Sequence, residues 1–200
     1  MTITVTPSGQ ACGAEIRGLD LSKPLSTSEV EQIKQAWAEH HVLSFPDQKM
    51  NDDDLECFTG YFGKLGDDPF FRPIEHRQYI AAIARYADEQ TPIFAESWHA
   101  DWSFKEQPPI GTCLLGITIP PEGGDTLFAN QHLAYKNTPE ELKERIAGLT
   151  AIHSAVMAYS PDGLYGKPLP NEKSAMQPII SDEARKTQTH PLVMTHPDNG

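Results

Sequence analysis

The chain has 200 residues, of which 38% are hydrophobic and 22% are charged, and its formal net charge is −12. This composition predicts one soluble globular domain over residues 1–200, and the acidic balance argues against nucleic acid or an anionic membrane as a partner. No apolar run is long enough to span a bilayer, and three widely spaced cysteines predict free thiols and a cytoplasmic location.

Short strands separated by turn residues dominate the expected secondary structure. Alternating or continuous apolar runs predict strands at residues 2–6, 12–17, 42–45, 79–83, around His99, at 111–118, 125–129, 149–156 and 191–195. Residues 158–189 are rich in proline and polar side chains and predict a lid or an irregular loop. Many short strands with few helices favour a sandwich or a barrel.

Three capping patterns predict helices between the strands. Ser26 followed by Glu29 forms a capping box, and Asn51 begins a second helix. Thr138 precedes Pro139 and two glutamates, which indicates a third helix with proline at its first position. The helices are expected to pack against the sheets.

His99 and Asp101 stand two residues apart in an aromatic segment, Trp98-His99-Ala100-Asp101-Trp102. In an extended strand, residues i and i+2 point to the same face, so the imidazole and the carboxylate could bind one metal ion side by side. Two such ligands and one distant histidine form the 2-His-1-carboxylate triad of non-haem Fe(II) oxygenases. The tripeptide alone is more typical of an ordinary strand with a histidine and an acid on one face.

Further motifs follow the pair in a specific order. Pro108-Pro109 precede an apolar run, and Gly123-Gly124-Asp125-Thr126 comes after it. Together with residues 13–22 and 41–48, this order resembles the taurine dioxygenase family of Fe(II)/2-oxoglutarate-dependent oxygenases. The resemblance extends through most of the chain.

The resemblance implies a fold and a reaction. The fold would be mainly β with flanking helices (α+β), a double-stranded β-helix or jelly roll that is incomplete at its C-terminus. His99 and Asp101 would be catalytic metal ligands for Fe(II), and Thr126 would help to bind the distal carboxylate of 2-oxoglutarate. The enzyme would use O2 to hydroxylate a small organic acid (a sulfonate, a sulfate ester or a carboxylate), with release of succinate and CO2, and we expect a homo-oligomer.

The chain also departs from the family pattern. The third ligand, a distant histidine, and the arginine that binds 2-oxoglutarate would both follow residue 200, and His132, His153, His190 and His196 are poor substitutes. We therefore expect the 200-residue polypeptide alone to have an incomplete triad and little activity. Phe70 and Phe71 lie near the place where taurine-type enzymes use a histidine and a tyrosine, which argues against taurine itself.

Two alternatives remain at this stage. One is a metal-free jelly-roll protein with a binding or scaffold role. The other is a different metalloenzyme on a cupin-like barrel, in which zinc would need three or four protein ligands.

Overall fold

The computed structural model describes residues 3–167, 174–197 and 199–200. In chain order, the described elements are β1 (Thr4–Pro7), β2 (Ala14–Arg17), α1 (Thr27–His40), β3 (Leu43–Ser44), α2 (Asp52–Gly60), α3 (Gln131–Asn137), α4 (Glu140–Ile146), β4 (Thr150–Ser154), α5 (Val156–Tyr159), a 3-10 helix (Asp182–Arg185) and β5 (Thr187–Pro191). Both helices and strands are present, which confirms the α+β class.

The chain divides into two compact units, and the first contains Met1–Lys64, Cys113–Leu149 and Val193–Gly200. Its sheet has the order β1-β2-β3, with β1 antiparallel and β3 parallel to β2. Leu21, Ile33 and Phe58 form the buried centre beneath it. The predicted strands at 2–6, 12–17 and 42–45 are therefore confirmed as β1, β2 and β3, with β1 ending one residue later than predicted, and residue 2 lies outside the described residues.

Two of the three predicted capping patterns in this unit are confirmed, those of α1 and α2. The Ser26 side chain accepts a hydrogen bond from the backbone N–H of Glu29, and the Glu29 carboxylate accepts one from the Ser26 N–H. Asn51 and Asp54 repeat this arrangement at α2. Each pair satisfies two backbone donors that the first helical turn leaves open.

The predicted capping box at Thr138 is wrong, although a helix does follow. Thr138 ends α3, where its hydroxyl donates to the carbonyl of Ala134, and it lies one residue before the capping position of α4. Pro139 takes the capping position of α4 without a side-chain hydrogen bond. Helix α3 was not predicted, although Asn130 caps it: the Asn130 side-chain oxygen accepts a hydrogen bond from the backbone N–H of Leu133.

The second unit contains Leu65–Thr112 and Thr150–Leu192. β4 and β5 pair antiparallel, with Ile152 opposite Thr189. Phe70, Phe71, Ala155 and Ala184 form its buried core. The strand predicted at 149–156 is confirmed, whereas β5 lies at Thr187–Pro191 and not at the predicted 191–195.

The loop predicted over residues 158–189 is only partly irregular. It includes the end of α5, the 3-10 helix Asp182–Arg185 and the first residues of β5. Residues 168–173 of that prediction lie outside the described residues.

Residues 61–130 contain neither helix nor strand, so the strands predicted at 79–83, around His99, at 111–118 and at 125–129 are wrong. A strand needs a hydrogen-bonded neighbour and, usually, one buried face. The side chains of Ile117 and Leu127 are 81% and 70% exposed, so the apolar pattern does not produce a buried face here. Hydrophobic residues alone therefore misidentified these segments as strands.

The cysteines and the hydrophobicity of the helices were also predicted from the sequence. Cys12, Cys57 and Cys113 are free thiols, as predicted. Within the described parts of the chain, we find no helix with the length and hydrophobicity needed to cross a membrane.

Candidate metal centre

His99 and Asp101 approach each other although their segment is not a strand. His99 Nε2 lies 3.2 Å from Asp101 Oδ1, and each side chain is 49% exposed. The chain turns at residues 101–104, and Trp102 has a left-handed backbone with φ 45°. A turn, and not the alternation of a strand, therefore brings the imidazole and the carboxylate together.

The outer polar atom of each side chain is also bound. His99 Nδ1 lies 2.8 Å from the carbonyl oxygen of Ser97, and because that oxygen can only accept, Nδ1 carries the proton. The Thr112 hydroxyl donates to Asp101 Oδ2 at 2.7 Å. These two bonds leave Nε2 and Oδ1 as the atoms that face each other.

The turn after Asp101 is attached to the loop that contains Asp68. The Trp102 indole Nε1–H donates to Asp68 Oδ2 at 3.1 Å, while Asp68 Oδ1 accepts from the backbone N–H groups of Phe70 and Phe71. Lys105 donates from its ammonium to the carbonyl of Asp67 and lies over the Trp102 ring, 5.6 Å from its centroid. The turn that follows Asp101 is thus attached to residues 34 and 38 positions before the residues that make these contacts.

An aromatic cluster forms the core beside this loop. Phe70 stacks on Tyr159 with ring centroids 4.6 Å apart, and Phe71 meets the same ring edge-on at 5.7 Å. Burial raises the pKa of the Tyr159 hydroxyl, and the negative charges of Asp68 and Asp101 raise it further. Tyr159 is therefore within electrostatic range of the candidate ligand Asp101.

The donor set suits a divalent transition metal. Two neighbouring ligands of an octahedral ion, each about 2.1 Å from the metal, lie about 3.0 Å apart. The 3.2 Å separation of Nε2 and Oδ1 is close to that value. One neutral imidazole with one carboxylate is the donor pair expected for Fe(II), and the outer hydrogen bonds to Ser97 and Thr112 are the kind that orient metal ligands.

The other predicted residues have different surroundings. Thr126 is exposed, lies outside any helix or strand and belongs to the first unit. In the second unit, His190 Nε2 lies 2.9 Å from the carbonyl of Lys105, and its ring packs against His153. His132 and His196 pack against each other in the first unit.

The described residues show no group of three or more His, Cys, Asp or Glu side chains that could hold a metal ion. His99 and Asp101 are thus a pair of candidate ligands, and both their binding of a metal ion and the role of Thr126 stay predictions.

Sequence reasoning missed Thr112, Asp68 and Tyr159. Asp68 precedes a proline and two phenylalanines, and this composition is typical of the side-chain-bonded turn that it forms. Its bond to Trp102, and the bond from Thr112 to Asp101, join residues far apart in sequence. No local pattern marked either bond.

Comparison with known proteins places the chain in a family. Residues 4–200 match the family described as taurine catabolism dioxygenase TauD, TfdA family. An alkylsulfatase of Acinetobacter baylyi is 34% identical over 189 residues, which cover 94% of this chain and 57% of the relative. An alpha-ketoglutarate-dependent sulfate ester dioxygenase of Pseudomonas putida is 30% identical over 201 residues, which cover 100% of this chain and 64% of the relative.

The fold leads to the same group. A crystal structure of a taurine dioxygenase from Burkholderia xenovorans superposes with a TM-score of 0.71 at 28% identity, and the match covers 99% of this chain and 60% of that one. The chain thus spans less than two thirds of the length of these three relatives. With a match that extends over residues 4–200, the chain belongs to the TauD/TfdA family of dioxygenases.

Proposed function

We propose that this chain carries two ligands of the iron site of an Fe(II)/2-oxoglutarate-dependent dioxygenase that hydroxylates a small organic acid. The observation that supports this proposal is the 3.2 Å approach of His99 Nε2 and Asp101 Oδ1. When bound, Fe(II) would supply oxygen activation coupled to the conversion of 2-oxoglutarate to succinate and CO2. The predicted O2 and 2-oxoglutarate dependence agrees with the names of the relatives.

The protein's part in this reaction is to present its ligands in the correct state. The carbonyl of Ser97 keeps the proton of His99 on Nδ1, which leaves the Nε2 lone pair for a metal. The Asp101 carboxylate offsets part of the positive charge of the ion. The aromatic cluster around Tyr159 includes Phe104, three residues after Asp101, which anchors this part of the chain to the core of the second unit.

A sulfate ester is the first substrate class to test. Two relatives carry names that describe action on sulfate esters, and residues 68–73 lack the histidine and tyrosine expected for taurine. Phe70 and Phe71 are buried in the core, so they fix the conformation of the loop at residues 68–73 and are not free to contact a substrate. Sulfonates and carboxylates form the comparison set.

Several finer features remain proposals. Similarity to solved dioxygenase structures supports a double-stranded β-helix. Binding of 2-oxoglutarate by Thr126, a homo-oligomer and a cytoplasmic location stay predictions.

Metal uptake tests the site. The EPR signal of free Mn(II), measured during titration with the 200-residue protein, reports binding without any turnover. We expect His99→Ala and Asp101→Ala each to weaken binding by more than the roughly 10- to 100-fold typical of outer-shell partners. His76→Ala is the matched control, because His76 forms a comparable pair with Glu75 at 3.4 Å in which both side chains are 88% exposed.

The control separates a metal site from an ordinary ion pair. Exposed ion pairs contribute little and bind no metal by themselves. Equal Mn(II) binding by the wild-type protein and all three variants would exclude a metal role for His99 and Asp101.

Turnover tests the reaction. Succinate release from 2-oxoglutarate, measured with a panel of sulfate esters, sulfonates and carboxylates, should depend on His99. We expect little activity from the 200-residue chain alone, since its described residues bring two candidate ligands together and no third. A strong charge-transfer absorption band on anaerobic addition of Fe(II) and 2-oxoglutarate to this chain would contradict that expectation.

A further inference from the structure

The hydrogen bond from Thr112 to Asp101 stands outside every motif that the sequence presented. Thr112 lies 11 residues after Asp101 and in the same compact unit. Its Oγ1 is 2.7 Å from Oδ2, the carboxylate oxygen that does not face His99. One hydroxyl therefore distinguishes the two oxygens of the candidate ligand.

A free carboxylate rotates about its Cβ–Cγ bond, so the plane of its two equivalent oxygens has no fixed direction. Since a threonine hydroxyl has one proton to donate, its bond to Oδ2 selects one orientation of the group. In this orientation Oδ1 points at His99 Nε2, at 3.2 Å. The β-branched side chain of threonine limits its own rotation, so the hydroxyl is held in place more firmly than that of serine.

Thr112 is poorly placed to stabilise the fold. Thr112 is exposed, and the Asp101 side chain is 49% exposed, so water competes for both partners of this bond. A solvent-exposed hydrogen bond contributes little to the free energy of unfolding. We therefore expect the Thr112–Asp101 hydrogen bond to affect the orientation of the Asp101 carboxylate more than the stability of the fold.

We propose that Thr112 is a positioning residue that orients the Asp101 carboxylate for metal binding, an inference that rests on the proposed function. Partners in the outer shell of a metal site typically change affinity by about 10- to 100-fold when removed. Because the Thr112–Asp101 hydrogen bond is accessible to water, we expect the lower end of this range, a loss of about 10-fold in metal affinity. The serine variant keeps the hydroxyl and should recover most of the affinity.

The test is Mn(II) titration of the 200-residue protein, followed by EPR of the free ion. Thr112→Val removes the hydroxyl and preserves the shape, Thr112→Ala is a second hydroxyl-free variant, and Thr112→Ser restores the donor. Thr118→Val, at an exposed threonine of the same irregular stretch, is the matched control. The urea midpoint of each variant shows that the fold is unchanged.

The expected result is weaker Mn(II) binding in the valine and alanine variants, with near wild-type binding in the serine and Thr118 variants. Wild-type affinity in Thr112→Val, or an equal loss in Thr112→Ser, would overturn the assignment. His99→Ala, measured in parallel, separates the two hypotheses. If His99→Ala loses Mn(II) binding while Thr112→Val keeps it, the proposed role of Thr112 is wrong and the metal site stands. If the wild-type protein binds no Mn(II), the proposed metal site is wrong as well.

Discussion

The bond between Asp68 and Trp102 predicts that the turn carrying Asp101 can be loosened without changing a ligand. Trp102 has φ 45°, a left-handed conformation that costs a bulky residue roughly 1–3 kcal/mol. A hydrogen bond to a charged group contributes about 1.5–3 kcal/mol. The stabilisation by the Asp68–Trp102 hydrogen bond is similar to the backbone cost at Trp102. The bond is therefore strong enough to hold the turn, and its loss should allow the turn to relax.

Asp68→Asn changes this bond selectively. The amide oxygen can still accept from the backbone N–H groups of Phe70 and Phe71, but its NH2 group then faces the Trp102 indole N–H. Two donors cannot bond each other. Because the site is only partly buried, we expect a loss of about 1–2 kcal/mol in the free energy of opening the second unit.

A double-mutant cycle isolates the interaction. Asp68→Asn, Trp102→Phe and the double variant are compared by native-state hydrogen exchange of the slowest amides of β4 and β5. We expect a coupling energy of about 1 kcal/mol, and weaker Mn(II) binding by Asp68→Asn. A coupling energy below about 0.3 kcal/mol would show that the two side chains act independently, and it would refute the claim that the Asp68–Trp102 hydrogen bond holds the turn.

Two further predictions concern stability. Hydrogen bonds from the Thr91 hydroxyl and from the Ala175 N–H hold the pKa of the buried Glu89 at about 2, below its ordinary 4.5, so its stabilisation is present above pH 4.5 and lost as the pH falls toward 2. Glu89→Gln should lower stability at pH 7 and flatten the acid dependence of urea unfolding in that window, and an unchanged slope would contradict this reasoning. Ile33 is only 2% exposed, so Ile33→Ala should lower the free energy of unfolding in urea by about 2–5 kcal/mol. Ile117 is 81% exposed, so Ile117→Ala should change it by no more than about 0.5 kcal/mol. Equal effects of the two variants would contradict the burial argument.

Local signals predicted the N-terminal part of the fold well. The reciprocal bonds of Ser26 and Asn51 with residues three positions later require only short-range contacts, and both helices begin where expected. The apolar runs at 111–118 and 125–129 gave the opposite result, because a strand depends on a neighbour that the run itself does not specify. Thr138 shows a third outcome, in which the expected cap residue ends α3 and the next helix begins after Pro139 without a side-chain capping hydrogen bond.

The sequence by itself determined the family, the α+β class and the residue types of the candidate centre, since a single residue separates His99 from Asp101. Only the tertiary structure decided how these two side chains are held. The contacts from Thr112 to Asp101 and from Trp102 to Asp68 cross 11 and 34 residues. A contact across such separations depends on how the intervening chain folds back, and no periodicity or capping pattern encodes that return.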